Sequence, residues 1–222
     1  MSSDMQLEEK LKFQFKDSNI LERALTHPSM GKNRPNYERL EFLGDSVLGL
    51  IISAELFNRY PNEAEGELTK RLAGLICGDT LVKVSQHLGL AEHIIMSESE
   101  KTSGGRDNKA NLENVMEAII GAIYLDQGFE AAKEFVLREW ASLIDKMVEP
   151  PKDAKSALQE WAQGRGLPLP EYVVTKQDGP SHAPDFEISV TVQGYPTEIG
   201  TGNSKRIAEQ QAAAKLYSAL NK

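Results

Sequence analysis

Two adjacent prolines, Pro150 and Pro151, divide a chain whose hydrophobic pattern changes across them. Proline has no backbone N–H and disfavours helix in the residue before it, so a pair stops a helix and favours an extended connection. Before the pair, apolar residues recur at helical spacing over Leu7–Leu25, Glu38–Tyr60, Glu67–Leu90, Lys109–Leu125 and Phe129–Met147. After it, Asp153 is placed to cap a helix running to about Gln163, which Gly164-Arg165-Gly166 closes. Alternating runs follow at Glu171–Lys176, Phe186–Gln193 and Thr197–Gly200, with a hairpin turn at Gln193–Pro196. Ser204 then caps a last helix, Lys205–Leu220. The expected architecture is an all-α domain over residues 1–147, a linker over 148–152, and a small α+β domain of order α-β-β-β-α over 153–222.

Composition narrows the function. With 40% hydrophobic and 26% charged residues the chain reads as folded rather than disordered. No apolar run approaches the roughly 18 residues that spanning a bilayer requires. The start, MSSDMQLEEKLKF, has no apolar leader segment, so a cytoplasmic protein without a membrane is expected. Cys77 is the one cysteine, which excludes an internal disulfide and a cysteine-based zinc site; it reads as a core residue within Leu75-Ile76-Cys77. The net charge of −8 argues against a protein that merely coats nucleic acid. Acids and bases balance from Lys152 onward, so the whole deficit lies in the first part and the two parts have different jobs.

The acidic deficit is patterned. On a helical wheel of roughly 100° per residue, Leu40, Leu43, Val47, Leu50, Ile51 and Ala54 share one arc, taken as the core face. Glu38, Glu41 and Asp45 fall within roughly 60° of one another on nearly the opposite side. Like charges at such spacings weaken a helix. A second segment has a core stripe of Leu112, Val115, Met116, Ile119 and Ile123, with Asn114 and Glu117 opposite, beside the small Ala118 and Gly121. Small residues let another helix approach closely. Either these acids are solvated faces, or two facing helices pool Glu41, Asp45, Asn114 and Glu117 into an oxygen-rich pocket suited to Mg²⁺. Phe42 lies beside the acids, off the core arc: it is a slightly misregistered core residue or a contact in a symmetric dimer. His27 reads as a support for a loop or helix end, Trp140 and Trp161 as packing residues, and Lys109 as a solvated lysine or a phosphate contact.

These residues carry a resemblance. ERLEFLGDSVL (Glu38–Leu48), ALTHPSM (Ala24–Met30), Glu65–Thr69, Gly104-Gly105 and MEAIIGAIYLD (Met116–Asp126) resemble the ribonuclease III family. LQEWAQGRGLPLPEY, GPSHAPDF and GTGNSKRIAEQQAAA resemble that family's double-stranded-RNA-binding domain. The resemblance covers nearly the whole chain in family order. It implies a dimeric all-helical endonuclease domain that hydrolyses both strands of duplex RNA with Mg²⁺, for which Mn²⁺ can substitute. The implied products carry 5′-phosphates, 3′-hydroxyls and short 3′ overhangs, in rRNA and mRNA processing and decay. By position it makes Glu41, Asp45 and Glu117 metal-binding carboxylates, with Asp45 and Glu117 catalytic. It makes Glu38 and Glu65 the acids flanking a catalytic valley, and Phe42 a dimer contact. No small-molecule cofactor is implied. The chain departs from the family at Asn114, where an aspartate is usual, so either weaker metal binding or a binding protein that no longer cuts is the consequence to test. For the second domain, A-form RNA offers a wide minor groove lined with 2′-hydroxyls. Gln159 and Glu160 are expected to meet it, His182 to reach the next minor groove, and Ser204, Lys205 and Arg206 to bind phosphate at a helix start. Such a domain spans about 16 base pairs. Glu209 stands where many such domains carry a further base, which predicts modest, salt-sensitive affinity.

Overall fold

Helix α7 (Lys109–Gln127) is apolar on almost every side, and the first part of the molecule is built around it. Its Leu112, Val115, Met116, Ile119, Ile120 and Ile123 are all buried. A helix of this kind needs neighbours all round. The computed structural model describes residues 3–150, 153–179 and 184–221. It divides into two compact units, Met1–Pro151 and Lys152–Lys222.

In the first unit the other helices are α1 (Ser3–Leu11), α2 (Ser18–Leu25), α3 (Glu38–Arg59), α4 (Glu65–Leu75), α5 (Gly78–Leu88), α6 (Glu98–Thr102) and α8 (Phe129–Lys146). Helices α2, α3, α5 and α8 pack on α7, and α4 and α8 pack on α3. Local chemistry sets the ends. Asp17 caps α2 through the Asn19 amide, and Asn108 caps α7 through the Ala110 amide. Two runs that looked continuous in sequence are broken. The first stops at Lys12, whose φ of +48° is left-handed, and the Asp126 carboxylate accepts the Lys16 and Asp17 amides at 2.8 and 3.0 Å to hold the loop. The second breaks at Ile76–Cys77, between α4 and α5.

The α3–α7 contact is the closest in the unit. A methyl added to Gly44 would stand 1.7 Å from the Glu117 carbonyl oxygen, and one on Gly121 would stand 2.3 Å from that of Leu40. Only glycine fits at both places, so the small residue beside Glu117 does admit a second helix. This contact also corrects the wheel. Leu40, Gly44, Val47, Leu48, Ile51, Ile52 and Leu56 are buried, whereas Leu50 is 59% exposed and Ala54 is exposed too. The buried arc is rotated toward the acids, which sit at its margin rather than opposite it. The acids gave α3 an apparent polar side, but packing against α7 half-buries Glu41 there, so the wheel alone placed the core too far round.

Cys77 is exposed, not in the core. It occupies the cap position before α5, where its thiol lies 3.4 Å from the Gly74 carbonyl oxygen. Trp140 packs as expected, fully buried, its indole N–H donating to the Leu75 carbonyl at 2.8 Å. Arg71 was not singled out by the sequence, yet it is buried, paired with Glu63 at 2.6 Å and bonded to the Met147 and Val148 carbonyls.

The second unit has helix α9 (Ala154–Gln163), strands β1 (Glu171–Asp178), β2 (Asp185–Thr191) and β3 (Glu198–Gly202), and helix α10 (Lys205–Leu220). The strands form an antiparallel sheet in the order β1-β2-β3, with Val173 opposite Ser189 and Ser189 opposite Ile199. Asp153 caps α9 through the Ser156 amide, and Ser204 caps α10 through the Ile207 amide. Leu158, Trp161 and Ala162 of α9 meet Val190 and Val192 of the sheet side and Ala212, Ala213 and Leu216 of α10 in one core. No described helix is long and apolar enough to cross a membrane.

Candidate active site and nucleic-acid interface

The glycine contact brings the acids of α3 against those of α7. Glu38 heads α3, where its backbone N–H donates to the Asn36 side chain at 3.1 Å and its carboxylate accepts from the same amide at 3.0 Å. Glu41 is half-buried and Asp45 is exposed on the same helix. Across from them Glu117 is half-buried on α7. Burial, and then the charges of Asp45, Glu113 and Glu41, push its carboxyl up to about 8. Burial also raises Glu41, followed by the charges of Glu38, Glu113 and Asp45. A charged group in partly buried surroundings with like-charged neighbours resists ionisation for both reasons. Glu41, Asp45 and Glu117 therefore share one electrostatic neighbourhood. Among the described residues, however, no three His, Cys, Asp or Glu side chains converge closely enough to hold a metal ion as they stand.

Asn114 lies on the same side of α7, half-buried. Its side-chain amide donates to the Tyr37 hydroxyl at 3.5 Å. Tyr37 caps α3 and is itself buried, so Asn114 links the two helices where the acids meet. Burial raises the Tyr37 phenol, the Asn114 hydrogen bond opposes that, and Glu41, Glu38 and Glu100 add to it.

Glu65 is elsewhere. It begins α4, accepts from the Thr69 hydroxyl at 2.9 Å, and lines a hollow of about 430 Å³ with Phe57, Leu68 and Leu72. It is not among the groups acting on Glu41 or Glu117. Phe42 is 79% exposed, and Phe57, about four turns further along α3, is 70% exposed. With Leu50 they leave a bare apolar flank on this helix. His27 supports the turn after α2, accepting the Ser29 amide at 3.0 Å and packing edge-on against Tyr37. Lys109 is exposed and paired with Asp79 at 3.0 Å.

Glu113, one residue from Asn114 on the helical wheel, points the wrong way in the sequence reading to replace an aspartate there directly, yet it belongs to this neighbourhood. Glu113 acts on both Glu41 and Glu117. Its spacing of four residues from Glu117 was the available signal, since such pairs share a helix face.

In the second unit Gln159 and Glu160 are exposed on α9, beside its buried Leu158 and Trp161. Lys205 and Arg206 are exposed in the first turn of α10, where amides lack partners within the helix and favour anions. His182 lies outside the described residues. Glu209 is paired with Lys155 at 2.6 Å.

Comparison with known proteins agrees with both halves. A family model described as Ribonuclease-III-like matches residues 17–143, and one for the double-stranded RNA binding motif matches residues 154–220. A Ribonuclease 3 of Ehrlichia ruminantium is 47% identical over 95% of this chain and 94% of that protein. One from Wolbachia pipientis wMel is 47% identical over 95% and 93%. A solved nuclease domain of ribonuclease III from Campylobacter jejuni, described by its structural flexibility in a region involved in dimer formation, is similar with a TM-score of 0.60 and 44% identity. It matches 62% of this chain and 95% of that domain. The molecule is thus a helical nuclease domain followed by a double-stranded-RNA-binding domain. The chain belongs to the ribonuclease III family and is an endoribonuclease of that family.

Proposed function

We propose that the protein is a divalent-metal-dependent, homodimeric endonuclease that cuts both strands of duplex RNA at the α3–α7 carboxylates. The observation that carries this reading is the Gly44–Gly121 contact, which sets the α3 acids against a half-buried Glu117. The donor set fits a hard cation: Glu41, Asp45 and Glu117 offer carboxylate oxygens and Asn114 a carbonyl oxygen, as Mg²⁺ or Mn²⁺ prefers. The crowding that raises Glu117 is the kind of charge imbalance a cation relieves. A bound divalent cation supplies activation of water and stabilisation of charge on the phosphoryl group.

The chain's own residues do the rest. Asp45 and Glu117 act as the catalytic carboxylates, and because burial and like charge favour the protonated form of Glu117, holding a cation there would be coupled to loss of that proton. Glu38, at the head of α3, flanks the valley. Glu65 belongs to the valley through the dimer, since it lines the hollow beside Phe57 rather than the acids of its own chain. The exposed Phe42, Leu50 and Phe57 support a symmetric contact between two copies, because an apolar flank of this kind is seldom left wet. Gln159, Glu160, Ser204, Lys205 and Arg206 bind the duplex by shape, and His182 is a further contact in this reading. Products carry 5′-phosphates, 3′-hydroxyls and short 3′ overhangs, and the substrates are structured precursors of rRNA and mRNA in the cytoplasm.

The test is cleavage of a long RNA duplex with Mg²⁺, with product ends mapped. Glu117→Ala is expected to lose at least about a hundredfold in rate while still binding duplex. Equal rates in both proteins would end the assignment. Phe42→Asp is expected to shift the dimer to monomer in sedimentation, and an unchanged mass would remove Phe42 from the interface.

A further inference from the structure

Glu113 is the acid that the proposed ligand set leaves over. It stands four residues before Glu117 on α7, one turn away on the same helix face. Its position is set by more than its own helix. A methyl on Gly78 would stand 2.5 Å from Glu113 Oε2 and 2.8 Å from Oε1. The carboxylate thus rests against the first residue of α5, the end where a helix carries partial positive charge. Gly78 is what leaves it room. Asn114, next in the chain, is neutral, and its amide donor is engaged by the Tyr37 hydroxyl.

We propose that Glu113 is a positioning residue of the carboxylate site: seated on the start of α5, it supplies the negative charge that Asn114 lacks and strengthens cation binding from outside the ligand set. This inference rests on the reading of Glu41, Asp45 and Glu117 as the cation ligands. The charge of Glu113 is one turn from Glu117, and at such a distance, with water-like screening, a unit charge changes affinity for a divalent cation by about tenfold. The seat matters because a long side chain free to swing into water would be screened.

The experiment measures Mg²⁺ binding to the full chain by calorimetry, without RNA, and melting temperature in EDTA. Glu113→Gln is expected to weaken Mg²⁺ binding about tenfold with melting in EDTA unchanged. Adding Asn114→Asp to that variant is expected to restore the affinity to within about threefold of the parent, because the charge returns one residue away. Gly78→Ala keeps the acid but crowds its seat, and a smaller loss is expected. Glu113→Gln binding Mg²⁺ as tightly as the parent would overturn the inference. So would a loss that Asn114→Asp fails to restore, or a lower melting temperature with unchanged affinity, which would leave Glu113 a helix-end residue only. Glu117→Gln separates the two levels. If it binds Mg²⁺ like the parent, the ligand reading falls and this inference with it. If it loses Mg²⁺ while Glu113→Gln does not, only the role of Glu113 falls.

Discussion

An acid in each unit shows opposite treatment of charge. In the first, Glu117 is half-buried among Asp45, Glu113 and Glu41, and its carboxyl is pushed up to about 8. In the second, burial works to raise Asp153, but the Ser156 amide, the Ser156 hydroxyl, the Gln210 side chain and the Arg206 charge together hold it below its usual range. Asp153 closes a helix end and is satisfied by its neighbours. Glu117 is strained by its neighbours. An acid surrounded by donors is held ionised, and an acid surrounded by its own kind resists ionisation, the pattern that marks a candidate functional group. The same contrast holds for packing. Both units seat a helix through glycine, Gly44 and Gly121 in the first, and Gly200 in the second, where a methyl would stand 2.2 Å from the Ala208 carbonyl oxygen. The first contact joins charges that repel, and the second joins an alanine face to a sheet.

The glycine contacts offer the hardest break. Gly44→Ala is expected to cost about 3 kcal/mol, since the clash is with backbone, and to abolish cleavage by parting α3 from α7. Gly200→Ala is expected to cost a similar amount but to lower duplex affinity instead. Chemical unfolding, cleavage and filter binding of each full-length variant check this. If Gly44→Ala still cuts at the parental rate, the α3–α7 contact does not build the site.

The acids diverge with pH. Glu117 lies above its ordinary value of 4.5, so its contribution to stability is present below about 4.5 and is lost as pH rises through about 8. Asp153 lies below its ordinary value of 3.8, so its contribution is present above that value and is lost as pH falls through the lowered one. Thermal melts in EDTA from acid to alkaline pH are expected to show Glu117→Gln flattening the decline between about pH 4.5 and about pH 8. Asp153→Asn, which keeps a capping side chain, is expected to flatten part of the acid decline. Identical pH profiles in parent and variants would remove the comparison. The smallest effect concerns Lys155 and Glu209, an ion pair at 2.6 Å and partly open to solvent. Glu209→Gln is expected to change stability by about 0.5 kcal/mol and to raise duplex affinity at low salt severalfold, by freeing a lysine and removing a negative charge. Unchanged affinity would place this pair away from the RNA.

Much of the fold was legible because it is written locally. Asp153 and Ser204 do cap helices, the three strands form close to the predicted runs although β1 is exposed along nearly all its length, and the α7 stripe from Leu112 to Ile123 is buried. The breaks at Lys12 and Ile76–Cys77 were not legible, because each depends on a partner far along the chain or on a turn without a strong breaker. Arg71 was missed for a similar reason: its pairing with Glu63 and the Met147 and Val148 carbonyls is made only when α4 meets the end of the unit.

The candidate site divides in the same way. Sequence alone determined which side chains carry oxygen, that Glu38, Glu41 and Asp45 share one side of a helix, and that Gly121 beside Glu117 admits a neighbour. Those are consequences of residue type and a repeat of 3.6 per turn. Tertiary structure decided how α3 is rotated, which leaves Leu50 and Phe57 bare and turns Glu41 toward α7. It decided that Glu113 rests on Gly78 of α5, and that Glu65 faces Phe57 rather than the acids. A helical wheel shows which residues share a side, but the half-burial of an acid such as Glu41 comes from the neighbouring helix, so only packing settles which face is covered.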